Sequence, residues 1–134
     1  MDRTTALRTL RDVGAAAWFG GSLMGASGLN AAADEVDPAD RNRVASAGWA
    51  RWNPIFRAAA LSHLVGSVGM AASTRSRGSV VGLGLTTAAL GATVSTAKLG
   101  AGDPPNTEAI HKVEWAIPAL LAAVVVLGAR RSSN

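Results

Sequence analysis

Ionised side chains are missing from four long stretches of the chain: Asp12 to Asp34, Arg57 to Arg75, Arg77 to Lys98 and Glu114 to Arg130. A bilayer-spanning helix needs about 17–25 residues at about 1.5 Å rise. Each stretch approaches that length, and the last gains a turn by starting near Ile110. A helix in a water-soluble bundle shows charge on its solvent face every turn or so, and these stretches show none. The pattern predicts an all-α fold, an integral membrane four-helix antiparallel bundle with spans near 12–33, 54–74, 78–99 and 110–129. A single domain accounts for the 134 residues. The spans are rich in Ala and Gly, and mean hydropathy is only +0.22, so the first span inserts marginally by itself.

Lys and Arg set the expected orientation. Arg3, Arg8, Arg11, Arg75, Arg77, Arg130 and Arg131 fall on the side of both termini. Asp34, Glu35, Asp37, Asp40, Asp103 and Glu108 fall on the other. The positive-inside rule then places both termini in the cytoplasm of a multi-pass plasma-membrane protein. The net charge of +4 is a topology signal of this kind. No basic run is interleaved with aromatics, so nucleic acid is not an expected partner. The bias to 11 Arg against 2 Lys, with abundant Ala and Gly, points to a GC-rich bacterial source. The absence of cysteine excludes disulfides and thiolate metal sites.

The first outer connection carries a helix start at Asp37-Pro38, with Asp as N-cap and Pro at the first position. A short extracytoplasmic interfacial helix is expected over 38–52, amphipathic through Val44, Trp49 and Trp52 and ended by Asn53-Pro54. Capping and topology account for the acidic cluster of Asp34, Glu35 and Asp37 better than a divalent cation does, and no metal site is assigned.

Small residues recur at helical spacing. Ala17, Gly21, Gly25, Gly28 and Ala32 share a stripe in the first span; Ala59, Ser62, Gly66, Gly69 and Ser73 do so in the second; Gly84, Ala88, Gly91 and Ser95 in the third. Helices in lipid associate through such close-packing surfaces. Gly21, Gly25, Gly66, Gly84 and Gly91 are therefore expected at helix–helix contacts.

Ionisable residues within spans are candidates for function by default. They are His63, Lys98, His111 and Glu114, with Asn30 and Arg57 beside them, all expected in the outer half. Lys98 continues the third small stripe and is expected to face Glu114. No catalytic constellation and no cofactor signature accompany them. Two functions follow. One is a non-enzymatic subunit or scaffold that packs with itself or a larger membrane complex. The other binds a lipid, quinone or small solute at the outer polar cluster, as a carrier or membrane oxidoreductase component. Membrane lipids are expected partners of both.

Overall fold

The computed structural model describes residues 1–74, 77–102 and 104–132, without the side chains of Thr74, Arg131 and Ser132. Arg75, Asp103 and the Arg131 side chain, named above for topology, lie outside the described residues. The described elements are all helical: α1 Arg3–Met24, a π-helical turn Gly25–Asn30, α2 Ala31–Asp34, α3 Pro38–Thr74, α4 Arg77–Gly100, α5 Thr107–Glu114 and α6 Ala116–Ser132. Asp2 caps α1, accepting from the Thr5 backbone N–H and hydroxyl. Those bonds hold its carboxyl below the ordinary carboxylate range.

Three helices are long and apolar enough to cross a membrane: 38–73, 77–100 and the α5–α6 pair over 107–130. The α1 helix is not among them, in keeping with the Ala- and Gly-rich character of its span. Large apolar side chains point outward along the bundle, among them Val13, Met24, Leu61, Val68, Val80 and Val126. Hydroxyls within the helices return a bond to a carbonyl about one turn back, as Ser27, Thr87 and Ser95 do to Leu23, Leu83 and Gly91. This satisfies them without water.

The α1 helix packs along α3 and on α6, and α4 closes the bundle against α6 and α3. Glycines set the α1–α3 spacing. A side chain on Gly14 would run into the Ala59 carbonyl and the His63 backbone, and one on Gly66 into the Leu7 carbonyl and Arg11 nitrogen. Gly21 and Gly25 lie under the indoles of Trp52 and Trp49. At the centre Trp18, Ala59, Ala60, Ala89, Ile117 and Leu121 form the core, with Phe56 edge-on to Trp18 at 5.6 Å between ring centroids.

Three sequence expectations are corrected. Residues 38–52 are helical, but no separate interfacial helix forms. The α3 helix runs unbroken through Pro54 for 37 residues, about 55 Å. Proline in a helix removes one hydrogen bond and need not end it when neighbouring helices hold both sides; here Trp49, Trp52 and Ala59 pin α3 to α1 across the proline. Second, the third small stripe faces outward. Gly84 and Gly91 have nothing within 4 Å of where a side chain would begin, and Ala88 and Ser95 are exposed. Third, the last span bends at Trp115, between α5 and α6. Pro118 has no N–H to offer the Glu114 carbonyl one turn back.

Candidate functional site

At the end of the bundle that carries the α2–α3 and α4–α5 connections, the helices part around a cavity of about 650 Å³. That is within the usual range for small-molecule sites. Its aromatic wall is Trp49, Trp52 and Phe56 of α3. Thr93, Thr96 and Ala97 of α4 lie on another side, and Ile110 and Ile117 on the α5–α6 side. Asn30, Glu114, Asp34 and His111 are its principal polar features.

Three elements build the polar centre. Trp49 Nε1 donates to Asn30 Oδ1 at 3.0 Å. Asn30 Nδ2 donates in turn to Glu114 Oε2. Both ends of the Asn30 amide are thus committed, which fixes its orientation and anchors one carboxylate oxygen. Glu114 is 9% exposed. Among the described residues its other oxygen has no hydrogen-bond partner and Glu114 joins no ion pair. Asn30 is delivered by the π turn, a wider coil that often marks functional positions. It brings Ser22, Ala26, Asn30 and Ala33 onto the cavity wall. At the cavity's edge His111 Nε2 stands 3.6 Å from Asp34 Oδ2, each side chain 46% exposed. Pro54 likewise offers no N–H to the carbonyl of Ala50, another lining residue.

Of the six residues singled out from sequence, Asn30, His111 and Glu114 come together here. Lys98 and Arg57 do not: both are exposed and neither lines the cavity. Lys98 follows the α4 small stripe, and that stripe faces away from the bundle. His63 is also elsewhere. It is 0% exposed, with Nδ1 2.8 Å from the Arg11 carbonyl and Nε2 2.9 Å from Thr86 Oγ1. The carbonyl only accepts, so Nδ1 carries the hydrogen and Nε2 is an acceptor; the Thr86 hydroxyl has one hydrogen for Nε2 and for the Gly82 carbonyl at 2.9 Å, and Ser67, at 3.4 Å, is the other hydroxyl within reach of Nε2. His63 therefore cross-links α3, α1 and α4 in the other half of the bundle. Counting depth from Pro54 had put it in the wrong half; α3 begins at Pro38.

His63→Leu keeps the apolar volume but strands the Arg11 carbonyl's side-chain partner and the Thr86 contact. It is expected to lower stability by about 1–3 kcal/mol in thermal denaturation in detergent, with the cavity unaltered. An unchanged melting temperature would contradict this structural role.

Sequence reasoning missed Trp49 and Asp34 as site residues. Trp49 read as an interfacial anchor, and Asp34 as a topology and capping charge. The spacing of Asn30 and Trp49 across a helical turnaround was the available signal, since each is a hydrogen-bonding residue on a small-residue face. Among the described residues no group of three or more His, Asp or Glu side chains is placed to hold a metal ion. No protein-family model, curated protein or solved structure matches the chain, so its own geometry carries the functional argument.

Proposed function

We propose that this is a multi-pass membrane protein that binds a small amphipathic molecule in the Glu114 cavity, as a carrier or as the binding component of a larger membrane assembly. The observation that carries the reading is a buried carboxylate, held by Asn30 and Trp49, with one oxygen open to a cavity of ligand size. A buried charged group is costly in a membrane protein and is retained where it serves a ligand or a path. In this reading α1 is the fourth span, both termini are cytoplasmic and the cavity opens toward the outer leaflet of the plasma membrane. By sequence seven Arg fall at the end of the termini against Arg41, Arg43, Arg51, Arg57, Lys98 and Lys112 at the other, a one-residue excess in the direction of that orientation.

The test is native mass spectrometry of protein released from its own membrane. Wild type is expected to retain a small-molecule adduct. Ala97→Trp and Ala45→Trp, which fill the cavity from opposite walls, are expected to lose it while remaining folded. A wild-type protein without an adduct, or one whose adduct survives both fillings, contradicts the reading.

A second reading is a non-enzymatic subunit that packs with its own copies or a larger membrane complex. The outward strip of Gly84, Ala88, Gly91 and Ser95 on α4 favours it, because such strips let a neighbouring helix approach closely. It predicts that Gly91→Leu changes the oligomeric state in detergent without changing stability of the single chain.

A further inference from the structure

We infer that the cavity is selective for a lipophilic organic cation, a ligand with a quaternary or protonated onium centre on an apolar or aromatic body, whose charge is met by Glu114. The inference rests on the binding reading above and adds the class of ligand.

The argument begins with charge. Glu114 has one oxygen tied to Asn30 and one open to the cavity, with no cationic partner. The charged and titratable groups facing the cavity from each element are few. From α2 there is Asp34, already 3.6 Å from His111 of α5. From α3 there is Arg41, which lines the cavity, donates from Nε to the Val36 carbonyl at 3.3 Å and makes no ion pair with Glu114. From α4 the lining side chains are uncharged. A buried carboxylate in surroundings of low dielectric is stabilised only by a counter-charge or by a proton. Among the described residues neither a Lys nor an Arg pairs with this carboxylate, so the counter-charge is left to the ligand.

The walls favour the same chemistry. The rings of Trp49, Trp52 and Phe56 line one side, and aromatic faces attract desolvated organic cations. An anionic ligand would meet two carboxylates, Glu114 and Asp34, against the single guanidinium of Arg41.

Methyltriphenylphosphonium is the probe, because its charge does not titrate; triphenylphosphine oxide is its neutral counterpart of similar shape. Binding is measured by equilibrium dialysis against the full chain in lipid nanodiscs, with empty nanodiscs subtracted. The cation is expected to bind at least about tenfold more tightly than the oxide. Glu114→Gln, which still accepts from Asn30, loses about tenfold or more of the affinity for the cation and leaves that for the oxide unchanged. Glu114→Asp keeps the charge and the preference for the cation. Asp34→Asn with His111→Ala leaves that preference in place.

Equal affinity for cation and oxide, or unchanged binding by Glu114→Gln, overturns the cation inference. If the native adduct persists in wild type and disappears in the cavity-filling variants, the binding reading survives that outcome. If the adduct is absent as well, both fall together.

Discussion

Gly14→Val is expected to abolish the folded bundle, and Gly66→Val to do the same. In both positions the added Cβ meets backbone atoms of the facing helix, not the movable end of a side chain. Relief requires the α1 and α3 axes to separate along their whole length. That cost, about 3 kcal/mol or more, exceeds the roughly 1 kcal/mol that replacing a helix-interior glycine returns in propensity. Gly84→Ala and Gly91→Ala are the counterpart. Nothing lies within 4 Å of their side-chain positions, so only the propensity term operates and stability rises slightly. Folded yield and thermal denaturation in detergent report both. A Gly14→Val protein as stable as wild type would mean that α1 does not sit against α3 as described.

Trp18→Ala is expected to cost about 3 kcal/mol. The indole is 0% exposed at the centre of the core, packed on Phe56 and on His63 at 6.3 Å between centroids. Its removal leaves a void that Leu121 and Ala89, both fully buried, have little room to fill. The figure stands at the low end for a large-to-small core change, because lipid solvates the exposed ring in the separated state, as water does not. Trp18→Phe is expected to be much milder than volume alone suggests. The Trp18 Nε1 hydrogen has no acceptor within the protein, so the smaller ring also removes a stranded donor. Chemical denaturation of the two variants side by side checks the pair. A Phe variant as damaged as the Ala variant would show that the buried N–H has a partner.

The helical fold and the three helices long and apolar enough to cross a membrane were legible because they depend on where charge is absent, and that is a property of sequence alone. The partnership of Asn30, His111 and Glu114 was legible in part, since these are ionisable or amide residues near one end of their spans. Lys98 was misplaced because a stripe of small residues looks the same whether it faces a neighbouring helix or lipid. In α3, Ala59, Gly66 and Gly69 meet α1, whereas in α4 Gly84 and Gly91 meet nothing. His63 was misplaced because Pro54 read as a helix start, and only the packing on both sides of it shows that the helix continues. The π turn at Gly25–Asn30 has no residue signature of its own; it follows from the seating of Trp49 on Gly25 and of the Asn30 amide between Trp49 and Glu114.

The unbroken α3 also binds the protein to the dimensions of its surroundings. A rod of about 55 Å cannot stand wholly within hydrocarbon of about 30 Å; it must lean, project, or do both. The glycine contacts oblige α1 to lean with it, whereas α4 is only lightly attached to that pair. In the membrane setting proposed above, acyl chains of different length are therefore expected to tilt the α1–α3 pair as one body, and with it the aromatic wall that α3 gives the cavity.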